Sequence, residues 1–276
     1  MAQLKSRYDY LYLSPHFDDV ALSCGGQVFL HSAAAESVLV VTMTGAEPPD
    51  DLRSDTVASL HRRWAGSLGG QMTGSIVAAR RAEDREALAA LGADAHHLPF
   101  LDCIYRRSPK SGNLLYPGPD DMFGELNPED SEIFGSLAAA FAALPAAGQV
   151  LLPLTVGGHV DHRILRVVGE TVFSDVAYYE DYPYVMTPDA LEAVLPPDER
   201  EGWRAETIWL TEAALEAKVA AVAAYRSQLS SFFAGRDDLS ARLGEEGVRV
   251  MAGSNREDAR PPSWAIGAER LWRSLP

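Results

Sequence analysis

Cysteine, basic charge and long apolar runs are all scarce in this 276-residue chain. Two cysteines, Cys24 and Cys103, make no disulfide framework, so the sequence reads as a reduced, cytoplasmic protein with both thiols buried. The opening stretch, MAQLKSRYDYLYLSPH, lacks the basic-then-apolar order of a secretory leader, and no apolar run approaches membrane-spanning length. Lys and Arg number 24 against 39 Asp and Glu, a formal charge of −15. That balance argues against nucleic acid or an anionic membrane as the main partner, because phosphate binding needs clustered Lys and Arg. What remains, 47% hydrophobic and 23% charged, is ordinary globular composition with enough length for a sizeable core.

Five short runs, at 8–13, 37–44, 96–101, 149–154 and 175–179, are apolar nearly throughout rather than alternating. Strands of that kind belong to a parallel sheet covered on both faces. Helical patterns fall between them at 20–34, 80–91, 132–144 and 162–171, with a later one at 211–229. Alternation of strand and helix predicts an α/β, Rossmann-like three-layer sandwich with a mostly parallel sheet. No linker or repeat interrupts it, so 1–276 is expected to be one domain. Two irregular stretches, 45–55 and 106–130, begin where strands end, at the edge where open α/β sheets bind ligands. Gly25-Gly26 does not make the GxGxxG of a nucleotide site.

Chemistry concentrates in two clusters. Ser14-Pro15-His16-Phe17-Asp18-Asp19 follows the first strand, and Gly157-Gly158-His159-Val160-Asp161-His162 follows the fourth. Adjacent carboxylates beside imidazoles raise one another's pKa unless a cation shares the site. Two such clusters at the ends of two strands converge on one crevice and suit a divalent metal with an open position. His31, His61, His96 and His97 lie elsewhere and are expected to be structural.

These residues resemble the PIG-L/LmbE-like N-acetylglucosamine deacetylases. The family's HPDD motif is similar to His16-Phe17-Asp18-Asp19, and its HPDH motif to His159-Val160-Asp161-His162. Arg80-Arg81-Ala82-Glu83 with Ala87 and Leu91-Gly92 resembles a family helix, and Leu101-Asp102 its aspartate after the third strand. Leu22-Ser23-Cys24-Gly25-Gly26 resembles a family Gly-Gly turn, and Tyr179-Glu180-Asp181-Tyr182-Pro183-Tyr184 and Tyr225-Arg226-Ser227-Gln228 two later signatures. The resemblance implies a zinc-dependent hydrolase that removes an N-acetyl group from an amino sugar or its conjugate, with Fe2+ as the alternative ion. It implies that His16, Asp19 and His162 bind the metal and leave a fourth position for water. Asp18 is then the general base, and His159 stabilises the oxyanion or acts as acid. Asp161 orients a neighbouring imidazole, and Arg80 and Asp102 hold the sugar. The expected partner is a small N-acetylated amino sugar or glycoconjugate, with a homo-oligomer left open.

The chain departs from the family pattern at Phe17, Val160 and Val20, all outside the ligand set. Some relatives carry a tyrosine where this chain has Gly157, so a supporting hydroxyl would come from elsewhere, with Tyr182 and Tyr184 as candidates. Two His and one carboxylate also fit a non-haem Fe(II) oxygenase, although strand–helix alternation argues against the usual all-β barrel. A non-catalytic, metal-dependent carbohydrate-binding protein is the third reading, and the presence of Asp18 and His159 speaks against it.

Overall fold

The computed structural model describes residues 3–69, 74–254 and 260–275. In chain order it runs β1 (Arg7–Ser14), α1 (Asp19–Ala33), β2 (Val38–Thr42), α2 (Asp55–Ser67), α3 (Ile76–Ala90) and β3 (Asp94–His97). The second half runs α4 (Ile133–Ala142), β4 (Ala146–Pro153), α5 (Val160–Val172), β5 (Val176–Tyr179), α6 (Ala190–Val194) and β6 (Trp203–Leu210). It closes with α7 (Glu212–Ala224), α8 (Arg226–Phe232), α9 (Arg236–Ser254) and β7 (Gly267–Ser274). The described strands form one seven-stranded sheet in the order β3-β2-β1-β4-β5-β7-β6. β1 to β5 are parallel, and β7 pairs antiparallel with both β5 and β6.

Continuous apolar strands follow from burial on two faces. Tyr12, Val40 and Leu151 point into one core with α1, α3 and α7, while Leu11, Leu13, Leu39, Val41 and Leu152 point into another with α4 and α5. Chain order reverses on either side of β1, which is flanked by β2 and β4. The carboxyl ends of β1 and β4 therefore lie side by side at the switch point, where open α/β sheets leave a crevice.

Several boundaries differ from the sequence reading. β3 ends at His97, and the expected strand at 96–101 is mostly the loop after it. The single helix expected at 211–229 breaks at Tyr225, whose φ of −80° and ψ of 59° are not helical, giving α7 and α8. α3 starts at Ile76 under a Ser75 cap, before the expected residue 80. α2, α9, β6 and β7 were not anticipated. Gly25-Gly26 is not a turn but part of α1, just past a kink at Cys24 (φ −141°, ψ 25°). Both cysteines are free and buried, as expected.

The 106–130 stretch is folded rather than structureless. Arg106 Nε meets Asp130 Oδ1 at 2.8 Å, the Tyr116 hydroxyl donates to Asp130 Oδ2 at 2.8 Å, and short 3-10 turns form at Asp120–Phe123 and Pro128–Glu132. No described helix is long and apolar enough to cross a membrane.

Candidate metal centre and active site

Pro15 ends β1, and the four residues that follow turn the chain into α1, placing Asp18 at the helix N-cap and Asp19 in its first turn. The second cluster repeats the arrangement. His159 caps α5, whose first turn carries Asp161 and His162. The two helix starts bring together the rings of His16, His159 and His162, with ring nitrogens within 4.8 Å of one another.

Hydrogen bonds orient each imidazole. His162 Nδ1 lies 2.7 Å from Asp181 Oδ1, which places the ring proton there and leaves Nε2 as a lone pair. That Nε2 is buried, has no hydrogen-bond partner and lies 3.4 Å from Asp19 Oδ2. His16 Nε2 lies 3.0 Å from Asp161 Oδ2, which turns Nδ1 toward Asp19 Oδ2 at 3.1 Å. Three electron-pair donors, His16 Nδ1, Asp19 Oδ2 and His162 Nε2, thus face one another in a buried site. Lone pairs so arranged repel unless a proton or a cation lies between them, and two imidazole nitrogens with one carboxylate are a donor set that fits zinc. Asp161 and Asp181 are the carboxylates behind the two imidazoles, and Asp161 is itself neutralised by the buried Arg106 guanidinium.

Where no cation lies between these atoms, protons do: burial opposes the charged form of His162, yet Asp19 and then Asp181 push its pKa up to about 9. Burial disfavours His16's charged form, yet Asp19 and Asp161 outweigh it and hold its pKa well above the ordinary value. Burial likewise works against the Asp19 carboxylate, but His162 and His16 hold its pKa well below the usual range. Asp18 is pushed up to about 6 by burial and then by Asp19, with Arg80 opposing. Burial, then the charges of His16 and His162, keep His159 well below the ordinary histidine range. Its Nδ1 accepts the Asp161 main-chain N–H at 3.2 Å, so the ring proton of the neutral form is on Nε2.

A cavity of about 140 Å³ opens onto these groups, lined by His16, Asp18, Asp19, Arg80, Asp102 and His159 among others. Asp161 and His162 are fully buried behind it. Arg80 Nη2 approaches Asp18 Oδ1 at 3.7 Å, and its guanidinium lies over Trp64 (4.6 Å) and Phe17 (5.3 Å). With its amide oxygen turned toward them, Gln228 accepts from Arg80 Nε and Trp64 Nε1, each at 3.3 Å. Phe17, a departure from the family motif, thereby serves as a shelf for the arginine. Asp102 Oδ2 lies 4.0 Å from His16 Nε2, and its Oδ1 accepts the Ile104 N–H.

Gly157 has a φ of +86°, and a Cβ there would come within 2.6 Å of Tyr184 Cγ. The Tyr184 ring occupies the space that a side chain at 157 would need. It packs against His162 (5.9 Å between centroids) and Phe123 (5.6 Å). Burial raises its pKa well above normal, and the charges of Asp19 and Asp18 raise it further. Both tyrosines considered from sequence, Tyr182 and Tyr184, line the cavity.

Asp181, Arg106, Trp64 and Gln228 were not anticipated in these roles. Asp181 and Gln228 fall inside quoted signatures, whereas nothing local marks Arg106 or Trp64. Three of the four outlying histidines pair elsewhere, His31 with Glu36, His61 with Tyr105 and His97 with Asp84, and burial lowers the pKa of the fourth, His96.

The family described as "PIG-L: GlcNAc-PI de-N-acetylase" matches residues 11–173, a span that holds both motifs. The chain belongs to the PIG-L family. A 2'-N-acetylparomamine deacetylase of Niallia circulans is 27% identical over 236 residues, covering 81% of this chain and 82% of its own. A second 2'-N-acetylparomamine deacetylase, from Streptomyces fradiae, is 30% identical over 192 residues, covering 66% of this chain and 60% of its own. Among solved structures, the zinc-inhibited form of teicoplanin deacetylase Orf2 superposes with a TM-score of 0.76 at 23% identity, covering 96% of this chain and 97% of that one. The 4-carboxy-2-hydroxymuconate hydratase GalB superposes at 0.56 with 18% identity, covering 97% of this chain and 96% of its own. These structural likenesses establish the PIG-L fold, and a hydratase among them shows that the fold alone does not name the reaction.

Proposed function

We propose that this chain is a metal-dependent N-deacetylase, a hydrolase that cuts the linear amide C–N bond of an N-acetylated amino sugar within an antibiotic-type glycoside. The products are a free amine and acetate. The observation that carries the reading is the set of three facing lone pairs on His16, Asp19 and His162, including a buried Nε2 with no partner. Two curated relatives named as deacetylases of an acetylated amino sugar support the substrate class. We assign zinc to the three ligands, with Fe2+ as the second candidate.

A divalent ion held there supplies Lewis acidity toward a water and an amide carbonyl. The surrounding side chains carry the rest. Asp18, with its pKa near 6, is ionised at neutral pH yet basic enough to take the proton of the attacking water. His159, neutral with its proton on Nε2, and the Tyr184 hydroxyl are the donors for the carbonyl oxygen as it gains charge. The geometry therefore favours oxyanion stabilisation over proton donation for His159. The proton taken by Asp18 is then available to the departing nitrogen. Asp161 and Asp181 hold His16 and His162 in the required tautomers. Arg80, clamped by Trp64, Phe17 and Gln228, and Asp102 bind the sugar's polar groups. An oxygenase built on the same donor set gains no support from an open α/β sheet.

The test is acetate release from a panel of N-acetylated amino sugars by zinc-loaded or iron-loaded protein, with and without chelator. The expected result is chelator-sensitive release that Asp18→Asn lowers by roughly 10²–10⁴-fold while metal content stays at the wild-type level. Near-normal turnover in that variant removes Asp18 from the role of base. Inactivity across the panel, unrescued by either metal, overturns the deacetylase reading.

A further inference from the structure

A second groove adjoins the catalytic cavity and is far larger, about 600 Å³ against about 140 Å³. The two share a wall made of Tyr182, Pro183 and Tyr184. A sugar ring bearing the acetamido group fills the smaller space, so whatever that sugar is attached to lies over this wall. The volume is in the range of small-molecule sites. The opposite wall is one stripe of α9, where Asp238, Ala241, Arg242 and Glu245 recur at helical spacing while Leu239, Leu243 and Glu246 on the other side are buried.

The polar groups of the groove are not equivalent. Arg242 Nε pairs with Asp238 Oδ1 at 3.1 Å, so those two charges compensate each other. Glu245 is exposed and makes no ion pair among the described residues, so that Arg242, paired with Asp238, feels its charge without contacting it and the two carboxylates outnumber the one cation. Tyr182 is 3% exposed, and only its main-chain N–H is hydrogen-bonded, to Ser23 Oγ. Its hydroxyl has no partner among the described residues. Its pKa is pushed up to about 12, by burial first and then by Glu246, with Lys218 and Arg242 opposing and Asp238 adding. Tyr182 lines both the catalytic cavity and the groove. A hydroxyl with no protein partner is free to donate to or accept from a ligand. Beside this shared wall, the Phe123 ring is 44% exposed and packs edge-on against both His159 and Tyr184, an apolar surface.

We infer that this groove is the subsite for the second ring of the substrate, with the Tyr182 hydroxyl binding a ring oxygen or amine and the Glu245 carboxylate binding an ammonium group. The substrate class is thereby narrowed to glycosides whose second ring carries amines, rather than to lipid or phosphodiester conjugates. A phosphate would meet an arginine already paired with Asp238 and a free carboxylate beside it. This inference rests on the deacetylase reading for its substrate, but its recognition step can be measured without turnover.

The experiment is calorimetric titration of the full chain with paromamine, the amine that deacetylation of 2'-N-acetylparomamine leaves, and with N-acetylglucosamine as a single-ring probe. Paromamine binding to the wild type is expected to weaken as salt rises, and Glu245→Gln to weaken it about tenfold, as for loss of a charge-assisted hydrogen bond. Arg242→Gln is expected to keep or tighten it, and N-acetylglucosamine to bind both variants like the wild type. No paromamine binding, equal binding by wild type and Glu245→Gln, or weakening by Arg242→Gln instead overturns the subsite. Acetate release from 2'-N-acetylparomamine is scored separately. Paromamine binding that depends on Glu245, in a metal-loaded protein that releases no acetate, leaves the subsite standing and removes the deacetylase reading.

Discussion

At the scale of single residues, position 157 shows how one absent side chain reorganises a site. Glycine there takes a left-handed φ and leaves room for the Tyr184 ring 2.6 Å from where a Cβ would be. Gly157→Ala is expected to cost about 2 kcal/mol from the backbone alone. Because it also pushes Tyr184 aside, turnover should fall more than stability accounts for. Thermal denaturation beside acetate-release kinetics checks this, and a variant with a lowered melting temperature but wild-type kcat refutes the role of Tyr184. Phe17 is a second case. From sequence it looks like a loss from a motif, yet its ring supports Arg80 and meets His97 edge-on at 5.2 Å. The candidate metal-binding residues stand out in sequence because their types and three-residue spacing suit a metal, and Asp161, expected to orient an imidazole, lies 3.0 Å from His16 Nε2. The parts played by Asp181 and Arg106 were not legible, since both reach the site across the fold.

At the scale of elements, the kink in α1 explains an otherwise puzzling group of charges. Breaking the helix at Cys24 frees the N–H groups of Gly26 and Gln27, which donate to Glu269 Oε1 (3.0 Å) and Oε2 (2.8 Å). Lys218 Nζ, from α7, lies 2.9 Å from Glu269 and 2.9 Å from Glu246 of α9, and 3.5 Å from the Ser23 carbonyl on the other side of the kink. One buried cation between two buried carboxylates leaves a negative charge in excess. Burial, then the Glu269 charge, push Glu246 up to about 7, with Lys218 opposing. For an acid whose pKa rises on folding, the associated stability is complete below the unfolded value near 4.5 and is lost as pH climbs through 7. Glu246→Gln, which mimics the protonated carboxyl, should therefore remove this loss. At pH 8 its stability should match or exceed wild type by up to about 3 kcal/mol. Denaturant titrations at pH 5 and pH 8 check it, and a variant weaker than wild type at pH 8 contradicts the argument. β6 and β7 were hidden from the sequence reading for a related reason: as antiparallel outer strands they carry Arg204, Glu206, Glu269, Arg270 and Arg273 among their apolar residues, so no continuous apolar run announces them.

At the scale of the whole molecule, the proposed ligands come from turns more than 140 residues apart and meet only because β1 and β4 are neighbours in the sheet. An ion that binds the folded chain at that seam must stabilise the entire fold. Zinc at about a hundred times its dissociation constant should add about 2.7 kcal/mol, a rise on the order of 5 °C in melting temperature. His162→Gln should abolish that rise, and persistence of the full shift in the variant would place the ion elsewhere. Apolar strands alternating with helices, and imidazoles and carboxylates gathered just past two strand ends, are properties of neighbouring residues, so the sequence by itself determined the layered α/β architecture and the donor groups gathered at the site. Which ring fills the space beside Gly157, which carboxylate backs His162 and what surrounds the second groove depend on residues apart in the chain. Local pattern carries no record of such partners, because burial and hydrogen bonding select them only once the sheet has assembled, and there the tertiary structure alone decided.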